Sequence, residues 1–209
     1  MIYLASASPR RQELLRQIGI AFEAIPSNLP EVPQAGERPE DYVLRVARAK
    51  AQHVARQVRE RGLAPRPVLG ADTEVVLAGK LLLRFPHFRH PWRSEGEILG
   101  KPRDAQQGQA MLRKLAGRTH EVLTGLVLLH QDAEYKTLNR SRVTFGSLTD
   151  MDIQRYWDSG EPADKAGGYA VQGRAAAFIQ RIEGSYSGIM GLPLFELIQL
   201  LRQAGINRP

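Results

Sequence analysis

Near the N-terminus, a short apolar segment gives way to serines, a proline and two arginines, a combination that suits anion binding. Pro9 fits the first turn of a helix, because its missing N–H would have no partner there, and Ser8 can cap the amides of that turn. A helix N-terminus favours negative charge, and Arg10 and Arg11 carry guanidinium groups that match phosphate oxygens. The segment therefore predicts a phosphate site; the alternative is two solvated arginines on an ordinary helix.

A carboxylate interrupts an apolar, strand-like run. Asp72 lies in residues 68–77 (VLGADTEVVL). A buried carboxylate is costly unless it is paired, hydrogen-bonded or bound to a metal, so Asp72 is a candidate functional residue. The alternative is a carboxylate that accepts backbone hydrogen bonds in a turn. Glu31, in residues 26–31 (PSNLPE), carries a weaker signal and also fits an ordinary loop glutamate.

Two further turns contain residues suited to ligand binding. Residues 100–104 (GKPRD) place Lys101 ahead of a helix, a geometry that suits phosphate and is also common in ordinary turns. Residues 160–173 (GEPADKAGGYAVQG) combine several glycines with Asp164, Lys165 and Gln172. Because polar, glycine-rich loops often approach ligands closely, we expect the second loop to take part in binding.

The residue types and their spacing argue against disulfides, cysteine or histidine metal sites, and serine or cysteine nucleophiles. The chain has no cysteine, which excludes disulfides, thiolate metal sites and cysteine nucleophiles. Its five histidines show no HExxH spacing, so we do not expect a histidine metal site. Its serines show no G-x-S-x-G elbow, which disfavours a serine hydrolase.

Charge and length narrow the class of protein. The 209 residues carry 29 Lys and Arg against 22 Asp and Glu, a formal net charge of +7. This balance suits nucleic acid, a membrane surface or small phosphorylated molecules, and charge alone does not choose among them. The N-terminus lacks the features of a signal peptide, and no run approaches the ~18 apolar residues of a membrane span. We therefore expect a soluble protein that is not exported.

The elements that must position these residues alternate along the chain. Apolar residues at helical spacing, with caps or glycine stops, predict helices at 10–18, 40–61, 105–115, 149–157 and from Pro193 onward. The fourth of these opens with a capping box of Thr149 and Asp152. Apolar runs predict strands at 2–5, 22–25, 68–77, 122–129, 142–145 and 176–182. Together they predict an α/β architecture with a sheet that is at least partly parallel.

Nine short motifs along the chain together resemble the Maf family of nucleotide pyrophosphatases. In order, they are residues 5–11 (ASASPRR), 48–51 (RAKA), 70–73 (GADT), 100–102 (GKP), 117–122 (GRTHEV), 160–167 (GEPADKAG), 171–173 (VQG), 183–186 (EGSY) and 191–193 (GLP). No single motif is specific. The resemblance is carried by all nine, which follow the family's order over nearly the whole chain.

This resemblance implies a fold, a reaction and a cofactor. The fold would be a two-lobed mixed sheet flanked by helices with a central cleft, similar to that of inosine triphosphatases, in a single domain of residues 1–209. The reaction would be hydrolysis of a nucleoside triphosphate to the monophosphate and pyrophosphate, with a divalent cation (Mg²⁺, Mn²⁺ or Co²⁺). The resemblance also implies a cytoplasmic homodimer.

Carried over position by position, the resemblance assigns roles to nine residues. Asp72 would be the general base, and Glu31 would lie with it near the metal. The groups that contact phosphate would be Ser8, Arg11, Lys50 and Lys101. The positions that separate a dTTP/UTP branch from a 7-methyl-GTP branch would be Arg10, Thr73 and Gln172. All three match the pyrimidine branch, since the other branch would have an aromatic residue, a glutamine and a glutamate.

One segment departs from the family's pattern. The family has a short hairpin where Lys80 to Glu97 intervenes here, with a basic, aromatic stretch at 84–93 (RFPHFRHPWR). Inserted surface loops cost little closure entropy, so we expect the fold to be kept. Residues 79–82 and 96–99 resemble alternative versions of one returning strand, so the position of Lys101 depends on which of them pairs.

Other classes of function remain open at this point. The basic, aromatic stretch and an isoelectric point near 10.0 would suit a nucleic-acid-binding module in which Phe85, Phe88 and Trp92 stack on bases. No helix-turn-helix, RNP or zinc pattern accompanies them. A regulator of cell division acting through protein contacts is another class, and it could coexist with catalysis. Within the enzyme class, the alternative is the 7-methyl-GTP branch.

Overall fold

A computed structural model describes residues 1–78 and 96–206, in which strands and helices are interleaved. The strands are β1 (Ile2–Leu4), β2 (Phe22–Ala24), β3 (Val68–Ala78), β4 (Gly96–Leu99), β5 (Thr119–His130), β6 (Ala133–Phe145) and β7 (Ile179–Glu183). The α-helices are α1 (Pro9–Gln17), α2 (Pro39–Glu60), α3 (Ala105–Leu115), α4 (Asp150–Asp158), α5 (Tyr186–Met190) and α6 (Leu194–Gln203). Short 3₁₀ turns lie at Glu161–Asp164, Ala166–Gly168 and Arg174–Phe178.

The seven strands form one mixed sheet. Their order is β2-β1-β3-β5-β6-β7, and β4 pairs with β3 beside this path. Strand β1 is parallel to both neighbours, so that Tyr3 lies opposite Glu23 of β2 and Val68 of β3. In contrast, β4 and β7 are antiparallel to β3 and β6. The parallel pairs confirm the predicted α/β architecture with a partly parallel sheet.

The described residues divide into two compact units. The first unit comprises 1–73, 123–141 and 184–206, and the second comprises 74–78, 96–122 and 142–183. Both units combine strands of the sheet with helices.

Helices cover both faces of the sheet in the first unit. Because alternate residues of a strand point to opposite faces, Ile2 and Leu4 pack with α1 and α6, whereas Tyr3 packs with α2. Helix α2 approaches β3 very closely at Gly70, where a Cβ would lie 2.1 Å from the carbonyl oxygen of Ala47. Only glycine is small enough for this contact, which brings α2 against the part of β3 that carries Asp72.

Two capped helices and an aromatic cluster organise the second unit. Asp104 caps α3 by accepting a hydrogen bond from the Gln107 amide at 2.8 Å. The capping box of Thr149 and Asp152 begins α4, as the sequence predicts. The rings of His120, Phe145 and Tyr169 pack edge to face, with centroids 4.9 to 5.3 Å apart.

Most predicted elements are confirmed, and all of these except β6 lie within a few residues of their predicted bounds. Helix α3 matches its prediction at both ends. Strand β6 begins at Ala133 instead of Arg142, because its first half is polar and partly exposed and lacks the apolar run that marked the rest. The strand predicted at 176–182 begins only at Ile179, since the alanine-rich residues 174–178 form a 3₁₀ turn.

The predicted insertion from Lys80 to Glu97 lies almost entirely outside the described residues, together with its basic and aromatic stretch. Its exposure and any role in nucleic-acid binding therefore stay predictions. Over residues 1–78 and 96–206, no helix is both long and apolar enough to cross a membrane.

Candidate active site

Three charged side chains meet inside the first unit. Lys50, on α2, donates from Nζ to Oδ1 of Asp72 at 2.8 Å and forms an ion pair with Oε1 of Glu31 at 2.5 Å. Asp72 lies on β3, and Glu31 lies in the loop between β2 and α2. The side chains of Lys50 and Asp72 are only 7% and 3% exposed, so their ion pair is buried.

The apolar periodicity of α2 explains why a lysine is buried here. Ala47, Ala51 and Val54 pack against the sheet, and Lys50 lies on the same helical face, three or four residues from two of them. A buried charge is stable only with a partner, and removal of one partner from such a pair typically costs about 3–5 kcal/mol. Lys50 is therefore the cation that offsets the buried charge of Asp72, and Glu31 is a second partner for Lys50.

The second oxygen of Asp72 has different surroundings. Oδ2 is buried and has no hydrogen-bond partner within the described part of the chain. Burial raises the pKa of Asp72 above its ordinary value, although the Lys50 ammonium and the Arg11 guanidinium oppose the rise. A carboxylate with a raised pKa is a better proton acceptor than an exposed one. These surroundings fit the predicted role of Asp72 as a general base.

Arg11 donates hydrogen bonds to acceptors on three segments of the first unit. Its Nε donates to the carbonyl of Gly191 at 2.8 Å, its Nη1 to Oγ of Ser6 at 3.1 Å, and its Nη2 to Oγ1 of Thr73 at 3.2 Å. The residue is 9% exposed. Because the acceptors belong to three separate segments, the guanidinium plane has one orientation. Arg11 is therefore a cation of fixed position, near enough to lower the pKa of Asp72.

Two threonine hydroxyls continue the hydrogen bonding from Arg11 as a chain of hydrogen bonds. The last acceptor in the chain determines which hydroxyl donates at each step. Oγ1 of Thr124 donates to the carbonyl of Gly188 at 2.8 Å, since a carbonyl can only accept. Oγ1 of Thr73 lies 2.9 Å from Oγ1 of Thr124 and must therefore be the donor between them. The Thr73 oxygen itself accepts from Arg11. With its proton committed internally, the Thr73 hydroxyl can offer a ligand only an acceptor.

Ser8 occupies the N-cap position of α1 but does not cap it, so that prediction is wrong. Its side chain makes no capping hydrogen bond, and its backbone (φ −58°, ψ 117°) departs from the extended conformation typical of a capping serine. Instead, Oγ of Ser6 accepts from the Ser8 amide at 3.2 Å as well as from Arg11. The predicted position of Pro9 in the first turn is confirmed. Phosphate contacts of Ser8 and Arg10, both half-buried, stay predictions.

Lys101 belongs to the second unit, where the strand pairing fixes its place. Residues 96–99 form the returning strand, with Leu99 opposite Val75 of β3. Lys101 therefore lies in the turn between β4 and the capped N-terminus of α3, and it is exposed. This is the location that the sequence predicts for it.

Gln172 is also exposed and lies in the second unit, on residues 170–175, which we call the Gln172 segment. Ala170, Val171 and Ala175 within the segment are buried. The segment therefore presents two exposed polar side chains, Gln172 and Arg174, between residues that are packed. Its contact with a base stays a prediction.

The structure thus brings together Lys50, Asp72 and Glu31, and it joins Arg11 to Thr73. Sequence reasoning missed the parts played by Ser6, Thr124 and the carbonyl of Gly191. Thr124 carried a signal, because a hydroxyl within the apolar run at 122–129 must find a partner when buried. The Gly191 carbonyl carried none, since it meets Arg11 across 180 residues of sequence.

A divalent cation has a possible pair of ligands in the first unit. The described residues contain no group of three or more His, Cys, Asp or Glu side chains that could hold a metal. Glu31 and Asp72 nevertheless contact the same ammonium nitrogen, and Asp72 has a buried oxygen with no partner in the described protein. One or two carboxylates are the usual protein ligands of Mg²⁺ when substrate phosphates complete its coordination. The two residues fit a cation bound together with a triphosphate.

The protein is thus an α/β protein whose first unit combines a buried carboxylate, a lysine paired with it and an arginine of fixed orientation. Comparison with known sequences gives its family, since the model of the Maf-like proteins matches residues 1–204. The chain belongs to the Maf family.

Similar proteins from several bacteria carry one name. A protein of Ralstonia nicotianae is 50% identical, over 99% of this chain and 95% of its own length, and is named dTTP/UTP pyrophosphatase. Proteins of the same name from Cupriavidus pinatubonensis (48% identical, 99% and 98% covered) and Bordetella avium (46%, 100% and 97%) are similarly related. The solved structure of the Staphylococcus aureus Ham1 protein gives a TM-score of 0.38 at 16% identity, over 71% of this chain and 72% of that one. That likeness is too low to bear on fold or activity.

Proposed function

We propose that this protein hydrolyses dTTP and UTP, and modified pyrimidine nucleotides of the same shape, to the nucleoside monophosphate and pyrophosphate. The observation that carries the proposal is the buried Asp72, which has one oxygen paired with Lys50 and the other without a hydrogen-bond partner in the described protein. Membership of the Maf family and the shared name of the relatives supply the substrate class.

The proposed chemistry is attack of water on the α-phosphorus. Asp72 takes a proton from the water as the new P–O bond forms, and the bond to the β-phosphate oxygen breaks with its electron pair leaving on pyrophosphate. Since Lys50 engages Oδ1, the proton would go to Oδ2. A raised pKa suits this transfer, because it makes the carboxylate more basic near neutral pH.

Cations near the reacting phosphates would stabilise the charge that develops on them. Attack increases negative charge on the non-bridging oxygens and on the departing pyrophosphate. Lys50 and Arg11 supply buried positive charge in the first unit, and Lys101 supplies an exposed charge ahead of a helix N-terminus. We assign these three residues, with Ser8, to the phosphates.

A divalent cation (Mg²⁺, Mn²⁺ or Co²⁺) is part of the proposal, and Glu31 and Asp72 would hold it. When bound, such an ion polarises phosphoryl oxygens and offsets their charge. Lys50 already pairs with both carboxylates, so these side chains are clustered before any ligand binds. The negative charges of Glu31 and Asp72 would attract the cation.

Recognition of the base is assigned to Gln172, with Arg10 and Thr73. Uracil and thymine present an N3–H donor beside carbonyl acceptors, which a side-chain amide can match with its oxygen and its nitrogen. A guanine edge offers two adjacent donors, which suit a carboxylate better. The amide at position 172 therefore favours pyrimidines over the 7-methyl-GTP alternative.

A panel of nucleotides tests this function. The purified protein is incubated with Mg²⁺ and each of dTTP, UTP, dCTP, dGTP and 7-methyl-GTP, and the products are separated. We expect dTMP and UMP with pyrophosphate, formed faster than products from the purine nucleotides. Formation of dTDP and phosphate, or preference for 7-methyl-GTP, would reject the proposal. Omission of metal, with return of Mg²⁺, Mn²⁺ or Co²⁺ in turn, tests the cofactor.

A homodimeric assembly and a cytoplasmic location are further parts of the proposal, and they derive from the family resemblance. Light scattering over a range of protein concentrations tests the dimer, and fractionation of cells that express the protein tests the location. A monomer at all concentrations would remove the first, and a protein recovered outside the cytoplasm would remove the second.

A further inference from the structure

Two side chains that contact each other hold the backbone of the Gln172 segment. Oη of Tyr156, on α4, accepts a hydrogen bond from the amide of Ala170 at 3.1 Å, two residues before Gln172. The same hydroxyl donates to Oε1 of Glu161 at 2.7 Å. Tyr156 is 3% exposed, so this connection is buried in the second unit. The N-terminal end of the segment is thereby tied to the residue pair Tyr156 and Glu161.

Glu161 holds the other end of the same segment. Its Oε2 accepts from the amide of Arg174 at 3.0 Å, and its Oε1 lies 3.5 Å from the amide of Ala175. Gly173 permits this approach, because a Cβ there would lie 2.2 Å from Oε2 of Glu161. The backbone is therefore fixed on both sides of Gln172, by partners that are themselves joined.

The protonation states of the pair support this arrangement. Burial alone would raise the pKa of Glu161, but hydrogen bonds from Arg174, Tyr156 and Ala175 outweigh it and the pKa is lowered. Burial and the contact with Glu161 raise the pKa of Tyr156 above its ordinary value. At neutral pH the phenol of Tyr156 therefore stays protonated, and its O–H donates a hydrogen bond to the ionised carboxylate of Glu161. Tyr156 also packs edge-on against Phe178, with centroids 5.3 Å apart, which further fixes its ring.

We propose that Tyr156 and Glu161 are positioning residues that set the base selectivity of this protein by fixing the backbone on both sides of Gln172. The inference rests on the proposed function, in which Gln172 reads the pyrimidine edge. Hydrogen bonds discriminate between bases only when the reading group is held close to the productive geometry. Neither Tyr156 nor Glu161 has to touch the base, since both act through the segment.

Tyr156→Phe is the primary test, because it removes one hydroxyl and keeps the packed ring. Values of kcat and KM are measured for dTTP, for dGTP and for deoxyribose 5′-triphosphate, which lacks a base. We expect kcat/KM for dTTP to fall roughly fivefold or more, mainly through KM, as the loss of buried hydrogen bonds would give. The base-free substrate should be affected less than twofold. An equal loss on all three substrates would overturn the proposal.

Tyr169→Phe is the matched control. It removes another buried tyrosine hydroxyl from the same unit, adjacent in sequence to the Gln172 segment but bonded to His120 at 2.7 Å. We expect a lower melting temperature and an unchanged ratio of dTTP to dGTP hydrolysis. If Tyr169→Phe narrows that ratio as much as Tyr156→Phe does, general loosening explains both and the proposal fails.

Glu161 is tested by a graded pair of variants. Glu161→Gln keeps an acceptor oxygen for one of the two amides, whereas Glu161→Ala keeps none. We expect the loss of selectivity to be partial in the first and larger in the second. If Glu161→Ala does not fold, Glu161→Gln and Tyr156→Phe still decide the question. Wild-type selectivity in a folded Glu161→Gln or Glu161→Ala protein would contradict the assignment.

A double-mutant cycle with Gln172→Ala separates this inference from the function on which it rests. If the pair acts through Gln172, Tyr156→Phe should not change the dTTP to dGTP ratio further once Gln172 is alanine. Independent, additive effects would overturn the positioning role. If Gln172→Ala alone leaves the ratio unchanged, it is the proposed reading of the base by Gln172 that fails.

Discussion

Two carboxylates, one in each unit, have pKa values shifted in opposite directions by their surroundings in the folded protein. Asp72 has one oxygen paired with Lys50, and its pKa is raised because burial outweighs that pairing. Glu161 accepts from Tyr156 and from two backbone amides, and its pKa is lowered because these bonds outweigh burial. The same functional group is thus a potential proton acceptor in one place and a fixed anion in the other.

This contrast indicates how the molecule separates chemistry from recognition. A carboxylate short of hydrogen-bond donors can gain a proton during a reaction, as the proposed role of Asp72 requires. A carboxylate that accepts several hydrogen bonds stays ionised and does not take up a proton. It can instead hold backbone amides in place, as proposed for Glu161.

The largest effect is expected at Asp72. Asp72→Asn should lower kcat for dTTP by more than roughly 100-fold, because an amide cannot take a proton from water or hold a cation. The assay is steady-state release of pyrophosphate, with circular dichroism to confirm folding. Glu23→Gln is the control, since Glu23 is an exposed carboxylate of the same unit that pairs with Arg66 at 3.7 Å. A folded Asp72→Asn protein with near wild-type activity would remove Asp72 as the base.

A smaller, selective effect is expected at Gln172. A polar group that is mispaired against a bound base loses its contact with water and costs ~1–3 kcal/mol, so Gln172→Glu should reduce kcat/KM for dTTP and UTP by about tenfold. Guanine nucleotides should be reduced less, since a carboxylate suits their two donors. The comparison requires both proteins with dTTP and 7-methyl-GTP, and an unchanged ratio would exclude Gln172 from recognition.

A few-fold effect is expected at Thr124, which lies behind Thr73 and Arg11. Thr124→Val keeps the shape of the side chain but removes the hydroxyl between Thr73 and the Gly188 carbonyl. The Thr73 hydroxyl and the Gly188 carbonyl would lose their partner, at a cost of ~1–3 kcal/mol for a buried polar group. This should appear as a lower melting temperature and a reduced kcat. Thr124→Ser keeps the hydroxyl and should retain most activity. Equal behaviour of the two variants would show that the hydroxyl chain does not matter.

The smallest effect on catalysis, and a measurable effect on stability, is expected at His120. Burial lowers the pKa of His120 to about 3, from 6.5. Between these values the unfolded chain binds a proton that the folded protein does not, so stability falls as pH falls through this window. In His120→Gln the decline should be shallower by up to about 1.4 kcal/mol per pH unit. His130 is half-exposed, so His130→Gln is the control. If unfolding free energy depends on pH equally in wild type, His120→Gln and His130→Gln, the lowered pKa of His120 is rejected as the cause.

Much of the fold follows from local sequence signals, and the exceptions have local causes. Helix α3 and the capping box of α4 were predicted correctly, because glycine stops and caps act within a few residues. Helix α5 was not predicted, since five residues are too few to show a helical period. The predicted cap at Ser8 was wrong, because its side chain makes no capping hydrogen bond, and the contact of Ser6 with Arg11 could not be read from local sequence.

Less of the site could be predicted. Residue types pointed to Asp72 and, more weakly, to Glu31, and the family resemblance added Lys50. The structure places Lys50 in contact with both carboxylates. That Lys50 would pair with both carboxylates could not be read from the sequence, because the contact depends on how closely α2 approaches β3. The anchoring of the Gln172 segment by Tyr156 likewise depends on tertiary packing.

The central claim is that water attacks the α-phosphorus of a pyrimidine nucleoside triphosphate, and isotope transfer tests it most directly. The wild-type protein is incubated with dTTP and Mg²⁺ in ¹⁸O-enriched water, and the products are analysed by mass spectrometry. Attack at the α-phosphorus places one ¹⁸O in dTMP and leaves pyrophosphate unlabelled, and this is the result that the account predicts. Label in pyrophosphate, or in inorganic phosphate released with dTDP, would contradict it.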